Sequence, residues 1–328
     1  MAKFSLIAPT FSRPDEVQEF LESLTQLKSK DFEVIIADGS PQDDVRQVCV
    51  PFLNQLPLRI IYERFLPVSD ARNAAAAISQ GEWLIFLDSD CIIPPDYLNH
   101  VENYLQNHSI HLFGGPDAAH ETFSDVQKAI SYSMTSIFTT GGIRGGKKHV
   151  GTFHPRGFNM GIRKDAFDAV GGYSDFRCGE DIELSIRLIK AGYKSALITE
   201  AFVYHKRRTD FQKFFKQVFR FGAARINLFK RHPEELKLTH CFPAVFLIYI
   251  SILPLVLLLN VQVFAIQFLL LFIYFLAIAV DSTAQNRSLR VGVLSVRAAL
   301  VQLCGYGYGF LRNGVEVFIF GNEKGLKL

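Results

Sequence analysis

The sequence predicts an α/β fold, a doubly wound and mostly parallel sheet followed by C-terminal transmembrane helices. Three observations predict it. Short apolar runs alternate with amphipathic stretches through about the first 115 residues, the order that builds parallel sheets from strand–helix–strand units. Residues 241–280 contain no Asp, Glu, Lys or Arg, although charge is spread freely through the first 240 positions. The run Trp83-Leu84-Ile85-Phe86-Leu87 ends abruptly in two carboxylates, Asp88 and Asp90, with one serine between them.

The elements follow in order. Residues 4–8 are a short apolar run closed by Pro9-Thr10-Phe11-Ser12-Arg13-Pro14. Over 15–27, Val17, Phe20, Leu21, Leu24 and Leu27 fall on one helical face. A second strand, 32–37, is closed by Asp38-Gly39-Ser40-Pro41, a turn signal. Residues 45–53 read as a helix, 58–62 as a third strand, 69–79 as an alanine-rich helix stopped by Gly81, and 83–87 as a fourth strand. Beyond the acidic pair the regularity falls off. Pro94-Pro95-Asp96 opens a helix to residue 105, and 110–114 reads as a strand. The glycine-rich basic stretch 141–148 suits a mobile loop near phosphates or a plain surface loop. A strand over 158–163 precedes a short helix over 164–170, and Glu180 opens a helix to 191 that Gly192 stops. Strands over 195–198 and 201–204 lead into a basic amphipathic helix, 210–229.

A bilayer span needs about 20 apolar residues, so the charge-free block fits two, about 241–259 and 262–280, joined through Pro254 and Leu259-Asn260-Val261-Gln262. A third candidate, about 291–311, contains Arg297, Gln302 and the poor helix material Gly305-Tyr306-Gly307-Tyr308-Gly309. Spanning, re-entry, lying in the interface and packing on the first two helices all stay open for it. Ten Lys and Arg crowd into 206–237, just before the first span, and cations flanking a span favour the cytoplasmic side. Arg287 and Arg290 after the second span fit a hairpin with its tip outside. The expected location is therefore the inner (cytoplasmic) membrane, multi-pass, in contact with membrane lipid. The domains expected are a cytoplasmic one over 1–238, with halves of about 1–115 and 116–238, and a membrane region over 239–328.

Other classes are disfavoured. A formal charge of +3 is too small to point to nucleic acid. Pro9, Arg13 and Asp15 interrupt any signal-peptide core. Five cysteines without Cys-x-x-Cys argue against a disulfide framework or a zinc site.

Open α/β sheets place their ligand crevice at the carboxyl ends of the strands. Asp88 and Asp90 stand there as hard oxygen donors suited to Mg²⁺ or Mn²⁺ on a diphosphate, or else as a solvated acidic turn. Asp38 ends a strand expected beside theirs, where a carboxylate accepts hydrogen bonds from a base or ribose, or simply closes the turn. Asp181 lies at a helix entry, where the helix dipole favours its charge, as a functional acid or a plain cap.

The ordered set Ile36-Ala37-Asp38-Gly39-Ser40, Ser69-Asp70-Ala71-Arg72-Asn73, Phe86-Leu87-Asp88-Ser89-Asp90, Phe158-Asn159-Met160-Gly161, and Gly171-Gly172-Tyr173 through Gly179-Glu180-Asp181-Ile182-Glu183-Leu184 resembles the inverting family-2 glycosyltransferases of GT-A fold. The resemblance covers about 4–225. It implies that Pro9, Thr10 and Asp38 surround the base and ribose of a nucleotide-sugar donor, usually a uridine diphosphate sugar, and that Arg72 approaches its phosphates or sugar. It implies metal binding by Asp88 and Asp90, with Asp90 the more direct ligand, and catalytic roles for Asp181 as base and Glu180 beside it. His205 falls where this fold often supplies a metal or diphosphate contact. Gln217-Val218-Phe219-Arg220-Phe221 resembles the Gln-x-x-Arg-Trp signature of processive members, with phenylalanine in place of tryptophan, so Gln217 and Arg220 are donor-site candidates while processivity is in doubt. The implied acceptor is lipid-linked or a polysaccharide. Alternatives are a membrane-anchored sugar-nucleotide-binding or assembly subunit and a nucleotidyltransferase, although Pro9–Pro14 lacks the latter's glycine-rich basic motif.

Overall fold

The computed structural model describes residues 2–140, 153–322 and 326. The glycine-rich stretch 141–148 lies outside them. Ten strands are described: β1 (Phe4–Thr10), β2 (Phe32–Asp38), β3 (Leu58–Tyr62), β4 (Trp83–Leu87), β5 (Cys91–Ile92), β6 (Leu112–Gly114), β7 (Asp117–Ala118), β8 (Asn159–Arg163), β9 (Ser195–Leu197) and β10 (Val203–His205). Seven form one sheet in the order β3-β2-β1-β4-β8-β6-β9, and β5-β10-β7 form a second. β3, β2, β1 and β4 are parallel, and β8 runs antiparallel between β4 and β6. β2 and β4 are not neighbours as expected, because β1 lies between them. All three still end at one sheet edge, since parallel strands keep their carboxyl ends together.

The helices of this part are α1 (Pro14–Thr25), α2 (Asp44–Cys49), α3 (Val68–Ile78) and α4 (Tyr97–Asn107), and they follow the strand–helix alternation. Successive residues of a strand point to opposite faces, so an uninterrupted apolar run feeds two cores. Leu6, Val34, Ile36 and Ile85 meet Val17, Phe20 and Leu24 of α1 and Leu98 of α4 on one face. Ile7, Ile35, Leu84 and Phe86 meet Ala71 and Ala75 of α3 on the other. That two-sided burial is the physical content of the doubly wound reading.

The chain divides into two compact units, Met1–His120 with Lys147–Lys206, and Glu121–Gly146 with Arg207–Leu328. The second contains α5 (Asp125–Thr135) and α6 (Ile137–Thr140). α5 was not anticipated, although Ser124 and Gln127 form a capping box at its start. The first unit adds α7 (Lys164–Ala169) and α8 (Glu180–Lys190), which closes its second core with Leu184 and Leu188. α8 starts after Gly179, whose φ of +82° is a left-handed conformation that glycine adopts without a Cβ penalty. Behind the site, Asn159 is fully buried, accepts from Tyr97 Oη at 2.6 Å and donates to the Ala201 carbonyl at 2.8 Å. One side chain thus ties β8, α4 and the β9–β10 connection together.

The second unit continues with α9 (Phe211–Arg231), α10 (Leu238–Leu259), α11 (Val261–Asn286) and α12 (Leu289–Phe318). The last three are each long and apolar enough to cross a membrane. Pro254 sits inside α10, and the connection to α11 is Asn260 alone, whose side chain accepts from the backbone N–H groups of Gln262 and Val263. α12 runs unbroken through the glycine-rich segment expected to resist helix formation. Gly305, Gly307 and Gly309 are buried there, and close packing offsets their weak intrinsic propensity.

Candidate active site

The carboxyl ends of β1, β2 and β4 gather three acids with their partners. At the β1–β2 edge, Thr10 and Asp38 face each other in register. Asp38 is fully buried, and its Oδ1 accepts from the Ser40 backbone N–H at 2.9 Å and from the Ser40 hydroxyl. Ser40 Oγ in turn accepts from the Ser12 N–H at 2.7 Å, which fixes the loop between β1 and α1. Asp38 Oδ2 and the Thr10 hydroxyl are buried without a hydrogen-bond partner among the described residues. Buried polar atoms are rarely left so, and these two fit a donor and acceptor supplied by a ligand. Pro9 contributes backbone only, paired with Ala37.

One and three residues beyond β4, Asp88 and Asp90 are each held on one side by an arginine. Asp88 Oδ1 accepts from Arg72 Nη2 at 3.1 Å, and Asp90 Oδ2 accepts from Arg13 Nη1 at 3.1 Å. Their other oxygens turn towards one imidazole nitrogen, with Asp90 Oδ1 3.2 Å and Asp88 Oδ2 3.9 Å from His205 Nε2. His205 comes from the small sheet, where it pairs across strands with Cys91, and its ring stacks on Phe158 with centroids 4.9 Å apart. Donor atoms of Asp90, Cys91 and His205 all lie within 4.8 Å of one another. Two carboxylate oxygens and an imidazole nitrogen facing inward are a donor set that fits Mn²⁺ or Mg²⁺, with the Cys91 sulfur a softer addition.

The same arginine extends the site to the helix entry. Arg72 is 3% exposed, donates to Glu180 Oε1 at 2.8 Å, and its guanidinium lies 5.2 Å from the Tyr173 ring centroid. Glu180 and Asp181 open α8, and Asp181 accepts from the Gly157 N–H at 2.8 Å. Gly157 packs so closely on Arg72 that a Cβ there would fall 2.9 Å from its Nη2. Burial would lower the Arg72 pKa, but Tyr173, Glu180, Asp88 and Asp181 hold it above its ordinary value. Loss of hydration pushes the Asp88 carboxyl up, Arg72 and His205 oppose it, and Asp90 and Asp181 add to it. Burial also raises Glu180, against Arg72 and with Asp181. Four carboxylates around two guanidinium groups and one imidazole leave an excess of negative charge, which a cation would relieve.

Of the expected residues, Asp88, Asp90, Arg72, Glu180 and His205 are joined in one chain of contacts, Asp181 stands next to Glu180 at the start of α8, and Asp38 with Thr10 stands on the same sheet edge. Gln217 and Arg220 lie on α9 in the second unit, three residues apart on the helix. Arg13, Cys91 and Tyr173 carry no expected site role, although Tyr173 stands in the Gly171-Gly172-Tyr173 motif. Arg13 had a visible signal, a cation directly after the first strand, where the crevice opens.

Residues 5–171, about half the chain, match the family described as Glycosyl transferase family 2. The chain belongs to glycosyltransferase family 2. A succinoglycan biosynthesis protein, ExoA, of Rhizobium meliloti is 29% identical over 241 residues, 69% of this chain and 70% of that one. A glycosyltransferase of Haemophilus influenzae is 31% identical over 195 residues, 57% of this chain and 62% of that one. Among solved structures, a mannosyltransferase from Pyrobaculum calidifontis in complex with GDP-Man and Mn²⁺ superposes with a TM-score of 0.56 at 15% identity, covering 72% of this chain and 65% of that one. The glycosyltransferase's central sheet is thus the GT-A arrangement, with apolar helices appended that fit membrane anchoring.

Proposed function

We propose that this glycosyltransferase moves a sugar from a nucleoside diphosphate donor, a UDP-sugar in the first instance, to a lipid-linked or polysaccharide acceptor, with inversion at the anomeric carbon. The observation that carries it is the continuous contact chain from Asp90 through His205, Asp88 and Arg72 to Glu180, beside Asp181. Asp38 accepts hydrogen bonds from, and the Thr10 hydroxyl donates one to, the base and ribose. Asp88, Asp90 and His205 would hold Mn²⁺ or Mg²⁺, whose charge offsets the negative charge growing on the departing diphosphate. Asp181 takes the proton of the acceptor hydroxyl as that oxygen bonds to the anomeric carbon and the bond to the diphosphate breaks. Glu180, held by Arg72, positions the start of α8. A relative in succinoglycan synthesis supports an envelope glycan as the product class, and a Mn²⁺ complex of the same fold supports the metal.

The soluble domain over 1–238 works at the cytoplasmic face of the inner membrane, with 239–328 as its anchor. The cations concentrated in 206–237 support that orientation. The test is release of nucleoside diphosphate from a panel of nucleotide sugars, with and without Mn²⁺, on membranes carrying the protein. Asp181→Asn is expected to lower turnover at least about 100-fold while donor binding persists. Near-normal turnover in that variant would refute the base assignment.

A further inference from the structure

By length and composition α12 qualifies as a span, yet its packing is not that of a helix running up beside α10 and α11. The buried residues of the hairpin lie at one end only, Ala244 and Phe246 near the start of α10 and Ile278 and Ser282 near the end of α11. α12 touches that end. The Ser295 and Ser282 hydroxyls are 2.7 Å apart, Ala299 packs with Ile278, and a Cβ on Gly307 would lie 2.3 Å from the Pro243 carbonyl oxygen. Ile252, Leu255, Leu258, Leu269 and Phe272, in the middle and tip of the hairpin, stay exposed. Between Ala299 and Gly307 α12 advances about 12 Å at 1.5 Å per residue. Its partners there, Ile278 and Pro243, stand about 25 and 24 Å below the hairpin tip by the same rise. α12 therefore travels across the base instead of climbing.

Its far half is covered by α9, side by side and in the same direction. A Cβ on Gly305 would meet Val218, and one on Gly309 would lie 2.0 Å from the Phe219 carbonyl oxygen. Asn313 Nδ2 donates to the Ala223 carbonyl at 2.7 Å and to Asn227 Oδ1 at 2.9 Å, and the Phe318 and Phe229 rings are 6.0 Å apart. Gly305 and Gly309 have the small-xxx-small spacing that lets two backbones approach. α9 carries Lys213, Lys216, Arg220, Arg225, Lys230 and Arg231 along this length. α12 itself carries Arg297, which lies over the Phe211 ring at 4.6 Å, and Arg312. A pair so charged does not sit in hydrocarbon. It does match an interfacial layer, because Leu289, Val293, Tyr308, Val315 and Phe318 form an exposed apolar stripe on α12.

We propose that α12 does not cross the bilayer. With α9 it lies against the anionic head groups at the base of a two-span hairpin, so the catalytic domain and the residues after α12 face the same side. This rests on the reading that α10 and α11 span. Single cysteines at Gln55, Asn260 and Asn322, all exposed, test it in intact cells with a membrane-impermeant maleimide, the labelled site being located by peptide mass analysis. Asn260→Cys is expected to label from outside, and Gln55→Cys and Asn322→Cys only after permeabilisation. Labelling of Asn322→Cys on the same side as Asn260→Cys overturns the proposal. Labelling of Gln55→Cys and Asn322→Cys together from outside overturns the cytoplasmic orientation but leaves the proposal standing. In reconstituted bilayers, nitroxides at Val293→Cys and Val315→Cys are expected at the head-group boundary, shallower than one at Phe268→Cys. Equal depth for all three, or no bilayer contact at the first two, overturns it as well.

Discussion

Arg72 is the side chain on which the site's charge balance turns, and Arg72→Met is the perturbation that exposes it. The guanidinium bridges Asp88 at 3.1 Å and Glu180 at 2.8 Å while almost wholly buried. The Arg72–Glu180 pair, at about 4 Å between charge centres, is worth about 4 kcal/mol at an effective dielectric of 20, and the Arg72–Asp88 pair less, because the Asp88 carboxylate is 36% exposed and screened by solvent. Desolvation of the guanidinium consumes part of that, and removing one partner of a buried pair destabilises by about 3–5 kcal/mol. Against a total of about 5–15 kcal/mol for folded proteins, that is a large fraction, and the apparent melting temperature should fall by several degrees at pH 7.5. The pH dependence separates charge from packing. Without Arg72, the carboxyls of Asp88 and Glu180, already raised by burial, rise further. A carboxyl whose folded pKa is raised contributes stability that is full below its unfolded value and lost as pH rises through the folded one. The deficit of Arg72→Met against the parent should therefore shrink as pH falls from 7.5 towards 5. Fluorimetric melts of the detergent-purified protein across that range are the assay. A deficit constant with pH would show that Arg72 acts by filling space, and no deficit at all would refute its place in the site.

Two further outcomes are expected. Arg13→Met, by freeing the Asp90 oxygen that Arg13 holds, should weaken Mn²⁺ binding about 10–100-fold, the usual effect of losing a group that orients a ligand. The electron paramagnetic resonance signal of free Mn²⁺ reads this directly, and unchanged affinity would remove Arg13 from the site. Glu180→Gln, neutral at every pH, should raise the melting temperature at pH 7.5 and leave it unchanged near pH 4, because the raised native carboxyl destabilises only when ionised. A lower melting temperature at pH 7.5 would contradict that sign.

Three of the sheet's first four strands, β1, β2 and β4, were legible because each is a run of five to seven residues buried on both faces, long enough for the apolar pattern to register, while β3, at the sheet edge and only partly buried, still shows the apolar run Ile60-Ile61-Tyr62. Asp38 and the Asp88–Asp90 pair were legible because a carboxylate that ends such a run breaks the pattern sharply. Of the small sheet only β10 was, through the apolar run 201–204. β5 and β7 have two residues each, too few for any period, and their pairing with β10 joins chain segments more than 80 residues apart. That is why His205 could be suspected from its position but its cross-strand partner Cys91 could not. The fate of Arg72 was half legible. A buried arginine must be paired, but which acids pair with it depends on the approach of α3 to the start of α8. In α12, intrinsic propensity pointed away from a helix through the glycines, and tertiary contact with α9 and α10 reversed it.

Asn159 carries a consequence for how this chain can drift over generations. Its amide oxygen and nitrogen are both spoken for inside the protein, by a phenol on α4 and a carbonyl near β10. Any replacement strands at least one of those groups away from water, and no single second change restores both. Exposed loops are freer to vary around it, while this position, wholly buried, is expected to stay fixed among descendants that retain the fold.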